Sequence, residues 1–474
     1  MIERKIFIKD ILSAEDLEMI HQASIELLTE TGIEVLHEKA REIFAENGAR
    51  VEDTRVYLSE ELLEEYLAKA PSSFTLHARN PDNNVTIGGD NSVLAPGYGA
   101  PYVTDLDEGR RDSTFEDYQN FTKLAAASEN IDVLGGVIVE PTDIADQLRH
   151  VKMLYVAAKY SDKCLMGSAL GSKKAKEAFQ MASLLFGEED IIDDRAIVIS
   201  LINTTSPLKY DHRMLDALIT HAEYNQAAVI ASLIMAGSTG PMSIAGTLTL
   251  QNVEVLTGVV LAQMINPGTP VVYGSATTIT DMKTANLAIG SPEYAKFVGS
   301  TAQLARYYGL PCRAGGSITD SLLADTQAGY ESMMTFISSI NHGLNFILHS
   351  AGLLENYMTM SYEKFIIDDE ILGMINNYQA GVEVSEETVA KEVIQEVGPG
   401  GHYLSHAHTL EHMRDFREPI LSQRAGFDGS SEIDSTVERA NQKWKEVLAD
   451  FEAPPLDPKI ENKLKEFMEQ VANN

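Results

Sequence analysis

From about residue 92 the chain alternates short apolar runs with segments of helical length. Eight runs stand out: SVLAPG (92–97), VLGGVIVEP (133–141), CLMGSAL (164–170), AIVISLINTT (196–205), AVIASLIMAG (228–237), PVVYGSAT (270–277), PCRAGGS (311–317) and FILHSAG (346–352). They are continuously apolar, the pattern of parallel strands buried on both faces. A helix is predicted after each, starting near Phe115, Ile144, Lys173, His212, Thr247, Pro292, Thr326 and Met360. Thr114-Phe-Glu-Asp117 resembles a capping box, with Asp replacing the usual Glu or Gln. Ser291-Pro292 places a cap before proline at the first helical position. Eight strand–helix units spaced by roughly 31–42 residues predict a (β/α)8 TIM barrel over residues 91–380. Uneven spacing and the lack of a shared unit sequence argue against a solenoid.

The flanks read differently. Residues 1–90 predict an N-terminal helical extension, its helices ended by Gly32, Gly48 and Pro71. Residues 381–474 predict a C-terminal helical cap, with helices near 434–451 and 458–471 separated by Pro454-Pro455.

Composition then narrows the function. The 474 residues carry 70 acids and 37 bases, a formal charge of −33. That excludes a nucleic-acid partner, which requires Lys and Arg to neutralise phosphates, and a polybasic membrane surface. The N-terminus has no long apolar core, and runs such as AAVIASLIMAG are too short to span a bilayer, so a soluble cytoplasmic protein is expected. Cys164 and Cys312 read as buried thiols in a reducing compartment. A homo-oligomer is expected by base rate.

In such barrels the site lies at the C-terminal ends of the strands. Tyr98, Tyr102, Asn203, Tyr273, Asp320, His349 and Tyr357 follow or end the apolar runs, as do Gly274, Gly315 and Gly316. Tyrosine faces attract quaternary ammonium ions, although aromatic packing over the first strand is the plainer reading of Tyr98 and Tyr102. Arg313 lies inside the seventh run. A buried Arg requires an anionic partner, either a structural carboxylate or that of a substrate. The segment GGHYLSHAHTLEHMR carries His402, His406, His408 and His412 in two i, i+4 pairs. It reads as a structural segment, a lid or a zinc site; HExxH is absent. No GxSxG elbow, Walker loop or dinucleotide fingerprint occurs.

Long segments carry a resemblance. APGYGAPYVTDLDEGRR, TFEDYQNFTKLAAASENIDVLGGVIVEPTDI, LIMAGSTGPMSIAGTL, INPGTPVVYGSATTITDMKT, GSPEY, ARYYGLPCRAGGSITDSLLADTQAGYES and GPGGHYLSHAHTLEHMR resemble the trimethylamine:corrinoid methyltransferase superfamily. The resemblance implies a TIM barrel whose mouth receives a cognate corrinoid protein. It also implies methyl transfer from an amine to the Co(I) corrinoid (cobalamin) of that partner. The family's pyrrolysine would fall inside Asp320-Ser-Leu-Leu-Ala-Asp325, at Leu323 or Leu322, where this chain has only standard residues. The resemblance therefore points to the branch lacking pyrrolysine, with a quaternary amine as donor and glycine betaine as the leading substrate. Proline betaine, carnitine and γ-butyrobetaine are alternatives, as is a betaine- or corrinoid-binding protein without turnover.

Within that reading the residues take expected roles. Tyr98, Tyr102, Tyr273 and Tyr357 surround the trimethylammonium group. Asn203, Arg313 and His349 hold the carboxylate. Asp320 and Gln327 shape the pocket base, and Gly274, Gly315 and Gly316 make room for corrinoid or substrate. Asp320, Gln327 and His349 are the catalytic candidates. No metal of the chain's own is expected, since no thiol or alcohol must be deprotonated.

Overall fold

Each of the eight apolar runs forms a strand in the computed structural model, which describes residues 1–3, 10–187, 191–424, 426 and 434–473. The strands are β1 (Asn91–Leu94), β2 (Val133–Gly135), β3 (Cys164–Met166), β4 (Val198–Asn203), β5 (Ala227–Ser232), β6 (Val271–Ser275), β7 (Cys312–Gly315) and β8 (Phe346–Leu348). From β2 to β8 they pair in parallel in sequence order, and β8 pairs in parallel with β1. The circle closes where the Asp132 amide donates to the Leu94 carbonyl at 2.9 Å. An isolated parallel bridge joins Ala100 to Val139 beyond it.

A helix follows each strand: α1 (Phe115–Ala127), α2 (Asp146–Tyr160), α3 (Ser172–Phe186), α4 (His212–Glu223), α5 (Ile244–Ile265), α6 (Pro292–Tyr307), α7 (Thr326–Asn341) and α8 (Tyr362–Gln379). The predicted start signals are real. Thr114 and Asp117 exchange both capping-box hydrogen bonds, and Ser291 Oγ accepts from the Tyr294 amide ahead of Pro292.

Alternate strand residues point inward. Val93, Val133, Cys164, Ile199, Val229, Val272 and Phe346 share one interior cluster with Leu76, Val85 and Ile87. Those last three belong to an antiparallel hairpin, Ser73–Leu76 with Val85–Gly88. It lies across the N-terminal ends of the strands, where the His77 amide donates to the Ala196 carbonyl at 2.9 Å. The hairpin therefore floors the barrel.

Residues 1–90 contain the expected helices Ala14–Glu26, Glu38–Glu46 and Glu60–Leu67, but they are not purely helical. Besides the hairpin, Ile33–Val35 pairs antiparallel with Arg55–Tyr57 and parallel with Lys209–Tyr210. Strands of three residues are too short to show a period of two in the sequence. In the C-terminal region, helix Thr436–Ala449 sets Trp444 against Tyr362, with ring centroids 4.6 Å apart. Helix Pro458–Ala472 buries Leu464 and Val471 against Val151, Leu154 and Leu185 of α2 and α3.

Helix α5 is 22 residues long and apolar enough to cross a membrane by length and composition. It is instead mostly enclosed by protein, and its buried Gln251, Asn252, Glu254 and Gln263 all form side-chain hydrogen bonds. Among these, Glu254 accepts from Thr204, Ser206, Ser232 and the Leu208 amide, tying the ends of β4 and β5 together.

Helix α4 carries a fully buried His221 whose Nδ1 bonds the Ala217 carbonyl. Burial lowers its pKa from 6.5 to about 4. The folded state keeps the ring neutral while the unfolded chain takes up a proton below pH 6.5. Its contribution is therefore fully present above pH 6.5 and is lost as pH falls towards 4, by up to about 3 kcal/mol. Urea titrations of wild type and His221→Phe should diverge over that window, with the variant showing the flatter pH profile.

Candidate active site

The C-terminal ends of β7, β8 and β1 bring a guanidinium, an imidazole and phenol rings together. Arg313 follows inward-facing parity on β7 and is 1% exposed. Its Nη1 donates to the Ser275 carbonyl at 2.8 Å, and its Nη2 lies 3.5 Å from His349 Nδ1. Its Nε has no hydrogen-bond partner. Among the described residues no carboxylate lies within ion-pair distance of it. The structural ion pair considered from the sequence is thus not formed. A buried guanidinium without an anion is costly, so the geometry asks for an anionic ligand.

His349 sits just beyond β8, with φ of +64°. Its ring is buried, and burial together with the Arg313 charge drives its pKa well below 6.5. It is therefore neutral at physiological pH, with one nitrogen bonded to the Tyr98 backbone and Nδ1 facing Arg313. The Tyr357 ring packs on it at 4.6 Å between centroids. Glu355, Asn356 and Tyr357 all adopt positive φ (53°, 54° and 74°). This is a strained run for side-chain-bearing residues, of the kind that gathers at functional sites. The Glu355 amide holds it through the Ser321 carbonyl, and Thr359 Oγ1 donates to the Glu355 carboxylate.

Tyr98 joins from the β1 loop. Burial raises its hydroxyl pKa to about 12, opposed by the nearby charge of Arg313. Gly136, with φ of +65°, leaves it space: an added Cβ would lie 2.9 Å from the Tyr98 ring. Tyr294 at the start of α6 completes the group. Its hydroxyl accepts from the Gly315 amide at 2.9 Å and neighbours that of Tyr357. Sequence reasoning missed Tyr294, although it sits in the quoted segment GSPEY right after the Ser291-Pro292 start signal.

Other expectations shift. Tyr273 follows outward parity on β6. Its hydroxyl donates to Asn252 Oδ1 on α5 and its ring stacks on Tyr308, so it faces the helical layer. Tyr102 lies in a small sheet above the mouth, with the Arg110 guanidinium 3.7 Å over its ring. A side chain of the protein already uses that face. Asp320 accepts from the Ile289 amide, and Gln327 donates to Glu331. Both serve the β7–α7 loop, organised by Glu331, which also accepts from Thr319 and the Asp320 amide. The i, i+4 spacing of Gln327 and Glu331 was the missed signal.

The three glycines fit protein, not ligand. A Cβ on Gly274 would meet Ala231, one on Gly315 the Tyr294 hydroxyl, and one on Gly316 Ser350, all within 2.9 Å. Asn203 stands at the end of β4, lining a cavity of 340 Å³ that Tyr98 also walls. His402, His406, His408 and His412 do not converge. The rings of His408 and His412 lie 4.2 Å apart at a 40° tilt, His412 pairs with Asp415, and His406 caps helix Ala407–His412. No group of three or more metal-binding side chains occurs among the described residues.

Around the mouth, Leu106, Met242, Met282, Leu322, Leu323 and Met358 are exposed on the strand–helix loops. This apolar rim suits a large flat ligand presented by another protein.

Comparison with known proteins agrees with the barrel. A crystal structure of the Methanosarcina barkeri monomethylamine methyltransferase (MtmB) superposes with TM-score 0.52 and 12% identity, covering 95% of this chain and 97% of that one. That likeness shows the fold alone. A glycine betaine methyltransferase of Desulfitobacterium hafniense is 52% identical over 463 residues, 97% of each chain. A proline betaine:corrinoid methyltransferase of Eubacterium limosum is 31% identical over 96% of each. The trimethylamine methyltransferase (MTTB) family model matches residues 1–474. With that match spanning the barrel and both flanks, the chain belongs to the trimethylamine methyltransferase family.

Proposed function

We propose that this chain moves a methyl group from glycine betaine to the reduced corrinoid of a partner protein. The observation that carries the substrate reading is Arg313, a buried guanidinium with no carboxylate partner among the described residues, close enough to Tyr98 and Tyr357 for its charge to act on both. A betaine supplies both missing partners, a carboxylate for the guanidinium and a quaternary cation for the rings. Trimethylamine has no carboxylate and would leave Arg313 unanswered. The 52% identity to a glycine betaine methyltransferase supports the same reading.

The chain's residues have a positioning task. Arg313 anchors the carboxylate, and neutral His349 holds the guanidinium without adding a competing charge. Tyr98 and Tyr357 face the trimethylammonium group and exclude water from it. Fixing one end by charge and the other by aromatic faces directs an N–CH3 bond towards the mouth. The corrinoid supplies the nucleophile. The leaving group departs as a neutral tertiary amine, so no general acid is required, and a neutral His349 is consistent with this. Positive charge on nitrogen disappears as the methyl leaves, so a water-poor site favours the transition state. Tyrosine faces hold the cation only modestly, which avoids over-stabilising bound substrate.

The test is anaerobic. A reduced corrinoid protein is mixed with this chain and offered glycine betaine, the longer betaines or trimethylamine in turn. Loss of the reduced-corrinoid absorbance with glycine betaine is expected. A response to trimethylamine alone would overturn the proposal.

A further inference from the structure

Helix α8 ends at Gln379, whose Nε2 donates to Asn341 at the end of α7. From Ala380 to Ile420 not one residue is buried. The segment is rich in apolar side chains all the same: Val382, Val384, Leu404, Leu410, Met413 and Phe416 are 59–88% exposed. It leaves the barrel as an arm and returns at Arg417, whose Nη2 donates to Glu370 at 2.9 Å and whose guanidinium lies against Gly373. Both ends of the arm are therefore rooted on the second half of α8.

Among the described residues, nothing inside the arm accounts for its course. Its helices Glu386–Val389, Lys391–Val397 and Ala407–His412 span 4, 7 and 6 residues, too short to hold by themselves. Its ion pairs, His406 with Glu396 and His412 with Asp415, use exposed carboxylates and contribute little. Apolar side chains left in water do not offset the entropy lost in ordering the backbone, so the arm requires a covering surface. The area points the same way. The chain exposes 20959 Å², whereas a folded monomer of its mass exposes about 17,500 Å². That surplus of about 3,500 Å² is enough for one side of an obligate homodimer, whose two sides together bury about 2,000–5,000 Å².

We propose that a second copy of this chain covers the arm, two copies laying their arms on each other's α8 about a two-fold axis. Met374 and Tyr378, spaced i and i+4 in the last turns of α8, are 44% and 55% exposed at the arm's root. Each chain thus offers an apolar arm and an apolar seat, and a two-fold axis satisfies both at once. A corrinoid protein is a poorer occupant. Barrel helices run back from the mouth, so the second half of α8 lies towards the floor, whereas the corrinoid has to reach the mouth. The formal charge of −33 makes two copies repel at a distance, so the attraction comes from apolar contact.

Analytical ultracentrifugation of the full chain tests this. Wild type at micromolar concentration should sediment as two chains or an even multiple. Leu404→Glu combined with Phe416→Glu, at positions exposed within one chain where folding of the barrel is not at stake, should weaken pairing roughly a hundredfold or more. Tyr378→Glu on the seat should do the same. It should also speed amide exchange across residues 381–416, which it leaves unaltered. Met19→Glu, 72% exposed on helix Ala14–Glu26, should change neither readout. Added salt screens the repulsion and should keep or tighten wild-type pairing. A monomer, an odd-numbered assembly, pairing lost in salt, pairing indifferent to the arm and seat variants, or an equal loss with Met19→Glu would each overturn the proposal. So would arm amides that become protected only when a corrinoid protein is added.

Discussion

Replacing Arg313 with alanine is expected to lower kcat/KM for glycine betaine on the order of 10²- to 10³-fold, about 3–4 kcal/mol of lost transition-state binding. The guanidinium is buried and has no carboxylate partner among the described residues, so in the proposed complex the substrate carboxylate is its main charged partner. Removing it strands that carboxylate in a water-poor site. Tetramethylammonium, a donor with the cation and no carboxylate, provides the control. Its slow turnover should be the same in wild type and variant. An equal loss with both donors would mean that Arg313 only supports the fold. Arg313→Lys should fall between, because an ammonium cannot keep both the Ser275 carbonyl contact and a forked grip on a carboxylate.

The largest expected stability effect lies under the β8–α8 loop. Lys364 and Asp368 form a fully buried ion pair, 2.6 Å from Nζ to Oδ2. Asp368 also accepts from the Gly352 amide, and Lys364 reaches the Ser317 carbonyl at 3.4 Å. Lys364→Met leaves a carboxylate buried without its cation and should destabilise the protein by about 3–5 kcal/mol. The double variant Lys364→Met, Asp368→Leu removes both charges and should recover most of that loss. Chemical unfolding of the two variants checks this. If the double variant is as unstable as the single one, the amide contact of Asp368 rather than the ion pair is what matters.

The barrel was legible because its signals are local and repeated. Each apolar run is continuous and is followed by a helix whose start is written in residues such as Thr114, Ser291 and Pro292. The hairpin floor was not legible, since Ser73–Gly88 declares its place only through contacts with strands far along the chain. At the site, Arg313 drew attention as a charge inside an apolar run, and among the described residues it has no carboxylate partner. Tyr273 misled because proximity to a strand end does not report which face a residue occupies, and one position of parity turns it to Asn252. Tyr102 misled because the cation on its ring, Arg110, is eight residues away in sequence and is brought over it by the turn of a small sheet. Glu331 was hidden on a helix, where a carboxylate at ordinary spacing looks like surface until burial and partners are known.

Flooring the barrel imposes an order of arrival. The hairpin packs its Leu76, Val85 and Ile87 among the interior residues of the strands, so one end of the barrel is shut. In the proposed reaction, donor and corrinoid protein then share the opposite end, and a seated partner stands in the donor's way. Kinetics should be ordered, with the small molecule first and the protein second. Raising the partner's concentration while betaine is scarce should slow turnover rather than speed it.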